Sequence, residues 1–258
     1  MNLQEQLKII REKRPLIESI TNPVTVNDCA NILLAVGASP IMAHHMNEVK
    51  EVQKSCNGLL LNLGATDDYE SMLIAAKTAN ESGHPIVLDP VGVAISGYRR
   101  DFLVSLMEKT HIDCIRCNYG EAISIIDNKG ANEGLDSKVS LENESDKAKF
   151  IEKVSDFSEK KGIFMLVSGP VDYIIYGNRV EKVSSGSAMM KNVTGMGCMY
   201  SEVAAAFLAV DKSADSLKNA AILYGECGKE AEEMMGKGGT MSFRNAFIDC
   251  MSIKGCLG

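Results

Sequence analysis

The sequence predicts a three-layer α/β/α sandwich around a mostly parallel sheet, with an antiparallel hairpin at one end. Three observations carry this. Short apolar runs alternate with longer segments whose apolar positions recur at helical spacing, which is how successive βαβ units read. The short runs are almost continuously hydrophobic, as strands buried on both faces are. One late pair of runs is joined by the two turn residues Gly177-Asn178, the pattern of a tight hairpin.

The chain opens on MNLQEQLKIIREKRP, an amphipathic polar segment without the apolar core of a signal peptide. Strands are then expected at Leu16 to Ile20, Pro40 to Ala43, Leu59 to Leu63, Pro85 to Leu88, Ile112 to Ile115 and Ile163 to Val167. Between them, Val26 to Val36, Glu48 to Ser55, Tyr69 to Ser82, Arg99 to Lys109 and Glu121 to Ile126 read as covering helices. Right-handed crossovers of this kind put helices on the faces of the sheet. Asn, Gly, Ser and charge dominate Asp127 to Asp146, a surface loop ahead of a helix covering roughly Lys147 to Lys161. The runs Asp172 to Tyr176 and Arg179 to Ser184 make the hairpin. From Cys198 onward the pattern is helical, interrupted around Gly236 to Gly239, with the Ala-rich stretch Val203 to Ala209 suited to close packing. No repeat or linker divides the 258 residues, so residues 1–258 are expected to form one domain.

A hydrophobic fraction of 45% is enough for a sizeable core, and the formal charge is -7 with no dense Lys/Arg block. Nucleic acid is therefore a poor partner, and any anionic ligand must be held by a few local donors. No apolar run approaches the length needed to cross a bilayer, so no membrane association and a cytoplasmic location are expected. Eight cysteines, at 29, 56, 114, 117, 198, 227, 250 and 256, are expected to be reduced thiols in a chain with its own core. Cys114 and Cys117 form a C-x-x-C pair, which fits a redox centre or half a zinc site, but no second pair accompanies it.

The most informative segment is Asn192-Val193-Thr194-Gly195-Met196-Gly197-Cys198, just ahead of a helix. Gly195 and Gly197 can turn backbone N–H groups toward one point, and the helix adds its positive end, so the segment can cradle an anion. A tight glycine turn with no ligand fits the same residues. The P-loop pattern G-x-x-x-x-G-K-[ST] is absent, and Tyr200 stands where G-x-G-x-x-G would need its third glycine. Asp89 and Glu121 would lie at strand carboxyl ends, where open α/β sheets bind ligands, and such a pair can hold magnesium directly or through water. Their competing readings are a turn carboxylate before Pro90 and a solvated first-turn residue. Arg116, at the end of a buried strand, fits a phosphate clamp or an internal ion pair. Ser168-Gly169-Pro170 closes another strand and offers a hydroxyl to a phosphate, or is simply a turn.

Taken in order, Ser19-Ile20-Thr21-Asn22 with Val24, Gly37-Ala38-Ser39-Pro40-Ile41-Met42, Leu61-Asn62-Leu63-Gly64, Leu88-Asp89-Pro90-Val91-Gly92, Ile115-Arg116-x-Asn118 with Glu121, and Val193-Thr194-Gly195-x-Gly197-Cys198 resemble the hydroxyethylthiazole kinases of the ribokinase-like superfamily. The resemblance runs nearly end to end. It implies a ribokinase-like fold, transfer of the ATP γ-phosphate to 4-methyl-5-(2-hydroxyethyl)thiazole in thiamine salvage, a need for Mg²⁺, and a homotrimer with sites between subunits. By position it implies that Met42 and Gly195 contact the thiazole with Asn22 and Val24 nearby. It places Arg116, Ser168 and Gly197 at the nucleotide, and Asp89 and Glu121 at magnesium and phosphates.

Cys198 takes the place where many superfamily relatives carry an aspartate that accepts the alcohol proton. Proton removal can come late in phosphoryl transfer, so Cys198 is expected to serve as a hydrogen-bond partner or a base, not as a covalent nucleophile. The helix N-terminus favours its thiolate and nearby phosphates oppose it. Cys117 replaces a glycine common in the family, and Met196 fills the variable slot between the two glycines. His44 and His45 are adjacent, point apart, and read as surface or interface residues. Rival readings are a kinase for another alcohol such as hydroxymethylpyrimidine, a nucleotide-hydrate dehydratase, a ligand sensor without turnover, and a thiol redox protein.

Overall fold

The computed structural model describes residues 1–130, 143–184 and 186–255, so residues 131–142 of the expected loop lie outside it. Among the described residues one sheet contains β1 (Leu16–Ile20), β2 (Ser39–Ile41), β3 (Gly58–Asn62), β4 (Ile86–Asp89), β5 (Cys114–Asn118), β6 (Phe164–Ser168), β7 (Asp172–Tyr176) and β8 (Arg179–Val183). The order across it is β2-β1-β3-β4-β5-β6-β7-β8. The six strands from β2 to β6 run parallel, and β7 and β8 add the antiparallel hairpin.

Helices cover both faces. On one lie α1 (Leu3–Lys13) and α2 (Val26–Val36), with α8 (Met196–Val210), α9 (Ala214–Met234) and α10 (Thr240–Gly255). On the other lie α3 (Val49–Lys54), α4 (Tyr69–Ser82), α5 (Gly97–Lys109), α6 (Tyr119–Asp127) and α7 (Glu144–Lys161). The central helix is α8, which packs against β1, β3, β4 and β5. Its buried Ala204, Ala205 and Ala206 carry no side chain beyond Cβ and so allow that close approach.

Two elements differ from the sequence expectation. The N-terminal polar segment is the helix α1: Asn2 and Glu5 form a reciprocal capping box, with the Glu5 N–H donating to Asn2 Oδ1 at 2.9 Å. Leu7 and Ile10 then anchor it in the core. Strand β5 continues past Ile115 to Asn118 because β6 supplies register partners as far as Ser168. Arg116 thus lies within the strand, where its charge interrupts the apolar run.

Alternation along β5 also decides the C-x-x-C pair. Cys114 is buried in the core on the α8 side and Cys117 in the core on the opposite face. A spacing of three on a strand points two side chains apart, so the pair cannot form a redox centre or half a metal site. All seven described cysteines are free and buried. No helix among the described residues is long and apolar enough to cross a membrane.

Candidate active site

The same alternation assembles the site. Leu60, Val87, Cys114 and Leu166 on β3, β4, β5 and β6 face the α8 layer. Two residues further along, Asn62, Asp89, Arg116 and Ser168 face that side at the carboxyl ends of four neighbouring strands. Asn62 and Asp89 are register partners. The N-terminus of α8 meets this row, beside a cleft of about 880 Å³ lined by Arg116, Ser168, Gly195, Gly197 and Lys191.

Two glycines make the approach possible. Gly195 is the N-cap of α8 with φ of 86°, a left-handed conformation, and a Cβ there would lie 2.9 Å from Thr25 Cγ2. A Cβ on Gly197 would lie 2.7 Å from Arg116 Nη1. Because Gly195 offers no side-chain cap, no capping side chain takes the N–H groups of the first turn of α8. They face the cleft with the positive end of the helix dipole.

Cys198 Sγ accepts hydrogen bonds from Asn62 Nδ2 at 3.3 Å and Asn22 Nδ2 at 3.5 Å. Asn22 Oδ1 in turn accepts from the Val24 N–H at 3.1 Å and from Thr25 Oγ1 at 3.3 Å. Burial, and then the nearby Asp89 carboxylate, raise the Cys198 pKa above its ordinary value of 9.0. The thiol is therefore neutral at physiological pH, and the helix terminus does not produce a thiolate.

Arg116 is partly buried and makes no ion pair with a carboxylate among the described residues. Its Nη2 donates to Ser168 Oγ at 2.6 Å, while its buried Nε–H has no acceptor among the described residues. A buried guanidinium donor without a partner, opposite uncapped helix N–H groups, fits an anionic ligand such as a nucleotide phosphate. Asp89 Oδ2 accepts from Ser201 Oγ at 2.9 Å. Burial raises its pKa, opposed by Arg116.

Glu121 is buried and not solvated. One carboxylate oxygen accepts from the Asn118 N–H at 3.0 Å, closing a capping box on α6, and the other accepts from the Gly92 N–H at 3.2 Å. Burial, then repulsion from Asp89, raise its pKa. Two mutually repelling carboxylates beside the cleft are an arrangement that a divalent cation would relieve. No group of three or more potential metal ligands exists among the described residues, so magnesium here would draw most of its ligands from phosphate and water.

Arg116, Ser168, Gly195 and Gly197 thus line the cleft, Cys198 with its partner Asn22 stands at the start of α8, and Asp89 and Glu121 lie within electrostatic reach of Arg116. Val24 touches this group through its backbone N–H, which donates to Asn22, whereas Met42 does not line the cleft. Val24 is 74% exposed, with only its backbone tied to Asn22. Met42 follows the edge strand β2 and is partly buried. His44 and His45 are exposed, and their ring nitrogens make local backbone contacts. Sequence reasoning missed Asn62 as a site residue, although a polar residue ending an otherwise apolar strand was a visible signal. It also missed Ser201, Asp172 and Tyr200, which helix and strand periodicity does not distinguish from structural residues.

The model of the hydroxyethylthiazole kinase family matches residues 7–254. A hydroxyethylthiazole kinase of Clostridium acetobutylicum is 39% identical over 253 residues, covering 96% of this chain and 93% of that one. Another, of Methanocella arvoryzae, is 39% identical over 244 residues, covering 93% of this chain and 88% of that one. A solved hydroxyethylthiazole kinase structure from Pyrococcus horikoshii superposes with a TM-score of 0.85 at 31% identity, covering 97% of this chain and 92% of that one. An ADP complex of Bacillus subtilis pyridoxal kinase shares the fold, with a TM-score of 0.59 at 14% identity and coverage of 81% and 89%.

Proposed function

Because the chain belongs to the hydroxyethylthiazole kinase family, we propose that it transfers the γ-phosphoryl group of ATP to the hydroxyl of 4-methyl-5-(2-hydroxyethyl)thiazole. The product is the thiazole monophosphate, formed in thiamine salvage, and the reaction needs Mg²⁺. The observation that carries this reading is Arg116, whose guanidinium lies against Gly197 at the start of α8 and whose Nε–H has no acceptor among the described residues, with Cys198 three residues after Gly195.

In this reading the alcohol oxygen forms a bond to the γ-phosphorus, the bond to the β–γ bridging oxygen breaks, and ADP leaves. Such transfer depends chiefly on positioning and on stabilising charge at the phosphoryl oxygens. Arg116 and Ser168 hold the nucleotide phosphates, and the N–H groups near Gly195 and Gly197 take up developing charge. Asp89 and Glu121 would hold magnesium, which when bound would supply positive charge against the phosphates. The neutral Cys198 thiol, fixed by Asn22 and Asn62, orients the substrate hydroxyl, whose proton passes late in the transfer to an oxygen of the transferred phosphoryl group.

Gly195 and Asn22 border the thiazole. Val24, tied through its N–H to Asn22, lies nearby, and Met42 reaches the thiazole from a neighbouring subunit, so the chain acts as one kinase domain within a cytoplasmic homotrimer. ADP release with Mg-ATP, compared among hydroxyethylthiazole, hydroxymethylpyrimidine and no acceptor, tests the proposal. Turnover with only the thiazole supports it. Turnover with the pyrimidine keeps the chemistry and overturns the substrate, and binding without turnover points to a sensor.

A further inference from the structure

Arg116 makes no ion pair within 4.0 Å to any carboxylate among the described residues, although Asp89 and Glu121 both influence it electrostatically. One hydrogen bond to Ser168 does not fix a planar guanidinium. The remaining support is aromatic: Arg116 Cζ lies 5.2 Å from the centroid of the Tyr200 ring and over it. An aromatic face orients a guanidinium while leaving its N–H groups free, which a carboxylate would not do.

The Tyr200 ring is itself held at two further points. It stacks on Tyr224 with centroids 4.3 Å apart and planes 6° from parallel, and the Tyr224 hydroxyl donates to the Met196 carbonyl. The Tyr200 hydroxyl donates to Asp172 Oδ2 at 2.8 Å. The other oxygen of Asp172 accepts from the Gly169 N–H at 3.0 Å. Asp172 lines the same cleft as Arg116 yet spends both oxygens on other donors, so its charge does not consume the guanidinium. Burial, and then Asp172, keep the Tyr200 phenol protonated and therefore a donor.

We infer that Tyr200, anchored by Asp172, is the positioning residue that presents Arg116 to the phosphates of the nucleotide. This rests on the nucleotide reading above and assigns a role to a residue outside the predicted site. A line of contacts runs from β7 through Asp172 and Tyr200 to Arg116, and it sets donor substrate affinity without touching the alcohol.

The test is steady-state kinetics on the full chain, with ATP varied at saturating hydroxyethylthiazole and the reverse, for wild type, Tyr200→Leu, Tyr200→Phe and Asp172→Asn. Tyr200→Leu is expected to raise KM for ATP about tenfold, in line with loss of a partly desolvated cation–π contact. KM for the thiazole should stay within about twofold of wild type. Tyr200→Phe keeps the ring but loses its anchor, and a rise of about threefold is expected, matched by Asp172→Asn. If Tyr200→Leu does not fold, Tyr200→Phe carries the same comparison with nearly unchanged packing. Unchanged KM for ATP in the folded variants overturns the inference, as does a loss confined to kcat. A wild-type chain that neither binds ATP by calorimetry nor releases ADP overturns the nucleotide reading as well, so the two failures are distinguishable.

Discussion

Asn62 and Cys198 are 136 positions apart in the chain, yet the Asn62 amide donates to the Cys198 sulfur at 3.3 Å where β3 meets the start of α8. The contact joins the sheet to the helix terminus at the place where the proposed reaction would orient an alcohol. Asn62 also accepts from the Gly64 N–H at 2.9 Å, so one buried amide shapes the loop after β3 and sets the thiol.

Replacing Asn62 by Leu keeps the volume and removes both functions. Leaving buried partners unpaired costs about 1–3 kcal/mol. The expected outcome is a drop of ten- to a hundredfold in kcat/KM for the thiazole, with a smaller change in KM for ATP. Kinetics with each substrate varied separately checks this.

Cys198 acts as a neutral thiol in this account, because burial and Asp89 raise its pKa. Its ionisation therefore lies above pH 9.0, outside the range in which the enzyme would be assayed. The wild-type rate should show no Cys198 inflection between about pH 6 and 8, and alkylation by iodoacetamide should be slow at pH 7. Cys198→Asp should retain activity. Complete loss with intact folding and ATP binding would count against the role assigned to this position.

Gly197→Ala is expected to act through Arg116. The added methyl would lie 2.7 Å from Nη1, so the guanidinium must move from Ser168 and from the cleft. A rise of about tenfold or more in KM for ATP is expected, with thermal stability changed by about 1 kcal/mol. Gly195→Ala differs in kind, because φ of 86° strains any side chain and the methyl meets Thr25. Loss of both stability and thiazole binding is expected there.

Two buried acids away from the cleft should govern stability at alkaline pH. Neither carboxylate oxygen of Glu18 has a hydrogen-bond partner among the described residues, and Glu202 has one partner, Ser19, and one unpaired oxygen. Burial, with Glu48 as a lesser cause, pushes Glu18 up from 4.5 to about 8. Burial likewise pushes Glu202 up from 4.5 to about 8. Both acids bind a proton more tightly folded than unfolded. The stability this gives is complete below about pH 4.5 and is lost as the pH rises through about 8. The linkage is on the order of 5 kcal/mol per group. Glu18→Gln and Glu202→Gln should therefore raise Tm relative to wild type more at pH 9 than at pH 5, by calorimetry at both values.

Most of the fold was legible because parallel strands buried on both faces leave short apolar runs that periodicity finds. The expected strand β5 ends at Ile115 because Arg116 and Asn118 interrupt the apolar run, although Arg116 lines the cleft and Asn118 caps α6. The glycine loop, Asp89 and Arg116 were legible because each breaks a local pattern at a strand end or helix start. Glu121 was found for one property and shows another, since both its oxygens already serve backbone N–H groups. The links from Asn62 to Cys198 and from Asp172 through Tyr200 to Arg116 were not legible. They join residues distant in the chain, and only the sheet register and the docking of α8 bring them together.

Incubating the purified chain with Mg-ATP and hydroxyethylthiazole, then identifying the product by mass, decides whether this is the kinase described. The thiazole monophosphate should accumulate in step with ADP and be absent when either substrate is omitted. Thiazole recovered unchanged while ATP is consumed, or while hydroxymethylpyrimidine is phosphorylated, would contradict the assignment of the acceptor.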